Sequence, residues 1–239
     1  MMGLAIAEVS EQVWRVGYRP NPWAWADWRY ANDAGRFNGR WDDQLAELFR
    51  TLYTGESLLA CLLEVLAQFR PEPQTDAELD EIEDEAGEVD LYPDAPSGTV
   101  GYGWLEERFG GKADQTGRYC FVTHSESLAA IQARFPFARF KLTPIQLDTS
   151  VLKDARQRDL TRSIARWIFE LRDKNQNDLV DGIQFTSRFG DEYRMWAIFE
   201  RAADGVTSGH LTNEETFELH PETPELVDAF RLHNLRWTD

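Results

Sequence analysis

The sequence predicts an α+β fold in one domain, and three observations support that prediction. Runs rich in β-branched and aromatic residues, such as "QVWRVGY", are interspersed with amphipathic stretches such as "DLTRSIARWIFELR". A hydrophobic fraction of 42% over 239 residues is enough to bury a sizeable core. Neither an internal repeat nor a low-complexity linker divides the chain, so it reads as one mixed unit spanning 1–239.

In chain order, "QVWRVGY" is the first predicted strand, and "RPNPWAWADW" is a proline-broken aromatic loop. "LFRTLYT" reads as a short strand entering a helix from about Glu56 to Phe69. Glu56 sits in its first turn, where its charge suits the helix dipole, and Pro71 marks its end. "RYCFVTH" and "FARFKLTPIQL" read as strands around a helix, "SESLAAIQARF". A second amphipathic helix follows, with Leu160, Ile164, Trp167, Ile168 and Leu171 at helical spacing. "DGIQFTSRFG" and "EYRMWAIFER" are a pair of closing strands. The residues from about 202 to 239 read as an acidic tail carrying one short helix, "PELVDAFRLH".

A formal net charge of −17 repels nucleic-acid backbones and anionic membranes. Much of it lies between Glu72 and Asp94, a stretch with eleven acids and no lysine or arginine. That insertion is a solvated acidic surface or a face for a basic partner. The start has no basic leader and no apolar run is long enough to span a membrane, so the expectation is a soluble, cytoplasmic protein. Cys61 and Cys120 lack metal-ligand spacing and the four histidines do not gather near them, so reduced, buried thiols and no metal are expected.

Glu64 is the polar residue that the core explains least. Along the helix, Leu58, Leu59, Leu62, Leu63, Val65, Leu66 and Phe69 form one broad stripe and Glu64 points nearly opposite its centre. It reads as a solvated glutamate, except that Ser57, Ala60, Cys61, Ala67 and Gln68 beside it are small or uncharged. Such a face either packs against something or borders a groove. Arg36 and Arg40, each next to a glycine in "GRFNGRWDD", are plausible phosphate clamps, since a guanidinium is a planar bidentate donor. A local ion pair of Arg40 with Asp42 or Asp43 is the simpler account. Tyr53 fits a core or a ligand. Trp14, Trp23, Trp25, Trp28 and Trp41 pack a loop over the core or line a cleft. No glycine-rich phosphate loop or nucleophile elbow is present.

"RWDD", "FRTLYTGESLLACLLEVLAQFRP", "LTRSIARWIFE" and "DGIQFTSRFGDEYRMWAIFE", in that order and spacing from about Val13 to Glu200, resemble the RES domain family. The family is named for an arginine, a glutamate and a serine. The resemblance implies a core at about 13–200, an ADP-ribosyltransferase-like mixed β-sheet with flanking helices, and consumption of NAD+ as substrate with no bound cofactor. Many family members are toxins silenced by an antitoxin with an Xre-like part, which is the implied protein partner. By position the family arginine matches Arg40, with Arg36 as the alternative register; the glutamate matches Glu64 and the serine Ser187. Tyr53 and Arg15 match a further tyrosine and arginine. The implied roles are Arg40 and Arg15 on the NAD+ pyrophosphate, Tyr53 at the nicotinamide end, Ser187 on the adjoining ribose and Glu64 on the developing oxocarbenium. Inorganic phosphate is the acceptor the resemblance favours, which makes the chain an NAD+ phosphorylase. Water or a protein side chain is the alternative acceptor, and a nucleotide-binding module without turnover is the non-enzyme alternative.

Overall fold

The computed structural model describes residues 3–31, 39–43, 45–71 and 97–238, so Arg36 and the acidic stretch 72–94 lie outside the described residues. Strand β1 (Ile6–Tyr18) is followed by β2 (Thr51–Gly55), helix α1 (Leu58–Val65), β3 (Thr99–Gly101) and the short α2 (Gly103–Glu106). The long β4 (Arg108–Phe121) leads into α3 (Ser125–Arg134), α4 (Thr149–Lys153) and α5 (Arg158–Glu170). Then β5 (Gly182–Ser187) and β6 (Gly190–Phe199) make an antiparallel hairpin, and β7 (Leu211–Phe217), α6 (Pro224–His233) and β8 (Arg236–Thr238) complete the fold.

The fold is mixed α and β. Its main sheet has the strand order β1-β2-β6-β5-β4-β7, and β1 pairs again with β4 from Tyr18 opposite Arg108 to Ile6 opposite Cys120. That second pairing closes five strands into a ring, which satisfies backbone groups that an open sheet would leave at its edges. The β4–β5 contact is parallel and the other contacts of the ring are antiparallel. Strand alternation sends Val9, Val13, Leu52, Trp196 and Ile198 to one face, where Trp23 and Trp25 join them in a small core. The opposite face carries Cys120, Ile183, Ala197 and Phe199 into the larger core, against Leu62 and Leu66, Ile131 of α3 and Ile164 and Ile168 of α5.

Three expectations change. The helix predicted from Glu56 starts after the N-cap Ser57, whose side chain accepts a hydrogen bond from Ala60 N at 3.1 Å; it ends at Val65 and is followed by a 3₁₀ turn, Ala67–Phe69. Glu56 is therefore outside the helix, and its carboxylate receives the backbone N–H and guanidinium of Arg194 at 3.1 and 2.8 Å. "FARFKLTPIQL" is not a strand: it begins with a 3₁₀ turn at Phe137–Phe140, closed by Lys141 at φ 58°. Its aromatic rings gather around Phe135, 4.9 Å from Phe137 and 5.2 Å from Phe140, and do not alternate across a sheet. Finally, the residues after Ala202 are built into the domain, because β7 pairs with β4 in the main sheet and β8 pairs with β3. Among the described residues, no helix is long and apolar enough to cross a membrane.

Candidate functional site

Glu64 lies near the end of α1, a helix packed on both sides. Cys61 donates to Trp14 O at 3.1 Å on the sheet side, and His233 Nε2 of α6 meets Leu63 O at 2.8 Å on the other. This explains the small residues noted beside Glu64: Ala60 and Cys61 are buried because β1 packs there. Glu64 itself is half-buried, and its Oε1 accepts a hydrogen bond of 2.6 Å from Ser187 Oγ. Ser187 ends β5 and is 1% exposed. Its position is set by the tight β5–β6 turn, in which Phe189 N donates to Ser187 Oγ at 3.0 Å and Lys153 Nζ donates to Ser187 O at 3.2 Å. Two residues 123 positions apart thus form one polar pair, with the hydroxyl proton directed at the carboxylate.

Arg40 faces this pair electrostatically. Burial pulls its pKa from 12.5 to about 10, while the negative charge of Glu64 pushes it upward. Its Nη2 donates to Lys153 O at 2.9 Å. The local ion-pair account does not hold: among the described residues neither neighbouring aspartate pairs with Arg40. Asp42 accepts from Gly39 N at 2.6 Å and from Tyr53 at 2.9 Å, and the buried Asp43 binds Arg166 at 3.0 Å.

Tyr53 and Arg15 surround the loop that carries Arg40. The Tyr53 hydroxyl donates to Asp42 Oδ1 and accepts from Trp41 N at 2.8 Å. Burial raises the Asp42 carboxyl above its ordinary range and the Tyr53 phenol well above 10, so this is a hydrogen-bonded pair held away from water. Gly39 is required here, since a Cβ on it would come within 2.4 Å of the Tyr53 hydroxyl. Arg15 donates from Nε to Pro22 O at 2.6 Å and from Nη1 to Tyr53 O at 2.7 Å, tying β1, the aromatic loop and β2 together. Its pKa falls to about 10 through burial. Trp23, Trp25 and Trp41 are core residues, Trp14 packs against the core and Trp28 is exposed. Cys61 and Cys120 are free and buried, and burial pushes both thiols up to about 12.

The sequence reading missed a cleft of about 330 Å³ beside the pair, lined in part by Leu63, Arg70, Arg188, Phe189 and His233. The signal available was "SRFG": the two residues after Ser187 both face it. His233 comes from the segment read as a tail.

Fold and site together define a mixed α and β protein in which the Glu64 carboxylate is hydrogen-bonded to Ser187 and acts electrostatically on the buried Arg40. The chain belongs to the RES domain family, whose profile matches residues 12–220. It is also similar to a chain of the solved M. tuberculosis MbcT–MbcA toxin–antitoxin complex, at 14% identity and a TM-score of 0.48 over 96% of this chain and 92% of that one. No curated protein matches the sequence.

Proposed function

We propose that the chain cleaves the bond between nicotinamide and ribose C1′ in NAD+ and transfers ADP-ribose to inorganic phosphate. The observation that supports this most is the 2.6 Å Ser187–Glu64 hydrogen bond, with Glu64 acting electrostatically on Arg40, three residues that match the family's serine, glutamate and arginine by position. As the C1′–N bond breaks, its electron pair neutralises the pyridinium nitrogen and positive charge moves onto the ribose. Nicotinamide needs no proton to leave, so catalysis rests on fixed charge placed where charge develops. Glu64 stabilises the oxocarbenium-like ribose, and Ser187 holds the Glu64 carboxylate in place. Arg40 takes the diphosphate, while Arg15 and Tyr53 secure the Arg40 loop from behind. A phosphate oxygen then attacks C1′, forming ADP-ribose-1″-phosphate. On this reading the closed sheet is an ADP-ribosyltransferase-like core, and the physiological role is that of a toxin held in check by an Xre-like antitoxin.

The test is incubation of the protein with NAD+, with and without phosphate, and identification of the products. Phosphate should raise the rate and appear in the product; ADP-ribose alone at an unchanged rate assigns water as acceptor. Glu64→Gln keeps the shape and removes the charge, so turnover should fall about a hundred- to thousandfold, the loss typical of one preorganised electrostatic contact. Turnover at the parent rate removes Glu64 from the mechanism.

A further inference from the structure

We propose that Lys153 is a positioning residue for the Glu64 site, whose carbonyl seats Arg40 while its ammonium holds the turn that aims Ser187 at Glu64. Two sets of contacts lead there. Lys153 O accepts from Arg40 Nη2 at 2.9 Å, and Lys153 Nζ donates to Ser187 O at 3.2 Å and pairs with Asp191. One residue thus touches two of the three that match the family's arginine, glutamate and serine. The third, Glu64, accepts the Ser187 hydroxyl at 2.6 Å.

Helix α4 makes Lys153 a fixed support. Leu152 beside it is 1% exposed in the larger core, and at the other end of the helix the Asp148 side chain accepts from Val151 N at 2.8 Å as its cap. Gln132 of α3 holds the approach to the helix, with its Oε1 accepting from Leu147 N at 2.7 Å. Lys153 is the last residue of α4, so its carbonyl is among those that a helix leaves without an internal partner. The Arg40 guanidinium takes that carbonyl and is fixed to the helix end by it.

The side chain does a separate job. A basic residue in the last turn ordinarily serves its own helix end, but Lys153 crosses to the β5–β6 turn, 34 positions on. There it spans the turn, with Ser187 at the end of β5 and Asp191 in β6. The ion pair with Asp191 does not account for the arrangement alone, because the Asp191 side chain is 87% exposed and such pairs contribute little. Ser187 is buried, and its hydroxyl reaches Glu64 only while the backbone of the turn keeps its place. A misplacement of about 1 Å can cost about a hundredfold in rate. The effect on turnover rests on the reaction proposed above; the bracing of the turn does not.

Lys153→Met keeps the apolar stem and the carbonyl but removes the ammonium. The contact with Arg40 is made by that carbonyl, so the KM for NAD+ should change little while kcat falls about tenfold to a hundredfold. Lys153→Arg should recover part of the loss, and thermal melts confirm that each variant is folded. Repeating Lys153→Met in a Ser187→Ala background reads the route: with the hydroxyl gone, the second change should add little further loss. Independently of turnover, hydrogen exchange at Phe189 N, which donates to the Ser187 hydroxyl, should quicken about tenfold in Lys153→Met. If Lys153→Met does not fold, Lys153→Gln, which keeps a neutral donor, carries the same readouts. Parent-like kcat and parent-like exchange in a folded variant overturn the proposal, and so does a loss undiminished in the Ser187→Ala background. Faster exchange at Phe189 in a chain that leaves NAD+ intact keeps the bracing and refutes the reaction. NAD+ cleavage with kcat and exchange both indifferent to Lys153 does the reverse.

Discussion

Replacing Tyr53 by Phe removes one oxygen atom and tests whether the loop carrying Arg40 is held from beneath. In the parent that oxygen donates to Asp42 Oδ1 at 2.9 Å and accepts from Trp41 N at 2.8 Å, with Trp41 and Asp42 both buried. The variant leaves a backbone N–H without its acceptor and a carboxylate without one of its donors. An orphaned neutral group costs about 1–3 kcal/mol and a hydrogen bond to a charged group about 1.5–3 kcal/mol, so the expected loss is about 3–5 kcal/mol near neutral pH. With a urea slope of about 3 kcal/mol/M, the midpoint should fall by about 1 M or more.

The pH dependence of that loss has a definite sign. Burial already raises the Asp42 pKa above 3.8, and the Tyr53 hydrogen bond counters part of the shift. A carboxyl with a raised folded pKa binds more protons when folded, so its contribution to stability falls as pH rises through the window above 3.8. Without Tyr53's hydroxyl the shift grows, and the variant should lose more stability than the parent between acid and neutral pH. Urea unfolding at about pH 5 and pH 7, with NAD+ turnover measured on the same samples, checks both statements. Equal midpoints for parent and variant at both pH values would refute the bracing role. A fully stable variant that no longer binds NAD+ would instead make the hydroxyl a ligand contact.

Arg40→Ala should raise the KM for NAD+ about tenfold to a hundredfold through loss of a charge-assisted contact, whereas Arg36→Ala should be mild. Steady-state kinetics on both variants decides it, and the reverse pattern moves the clamp four residues earlier. His233 is buried with its pKa held below 6.5, chiefly by burial, so the unfolded chain binds more protons and stability should fall as pH drops through about 6.5. Thermal melts between about pH 5 and pH 7 should show a smaller decline for His233→Gln, which keeps a donor for Leu63 O but cannot titrate.

The sequence by itself determined the elements whose period survives in one dimension. Helices α3, α5 and α6 and the β5–β6 hairpin lie within a few residues of their predicted ranges, because amphipathic spacing and β-branched runs report one buried face. The order of Arg40, Glu64 and Ser187 was legible too, as a family pattern. Tertiary structure decided the rest, for identifiable reasons. Strand β7, "LTNEETF", is almost wholly exposed and polar, so no alternation marks it, and only the free edge of β4 makes it a strand. The rings of "FARFKLTPIQL" pack around Phe135, a choice that period cannot reveal. Glu64 had two readings because helical geometry gives the direction of a side chain but not what occupies that direction. The fold placed Ser187 there, from 123 residues away. It also turned Asp42 from a neighbour of Arg40 into a partner of Tyr53, and assembled Arg70, Arg188 and His233 around one ring. Periodicity records which residues avoid water, and pairing between distant polar residues is set by sheet closure, which no local stretch encodes.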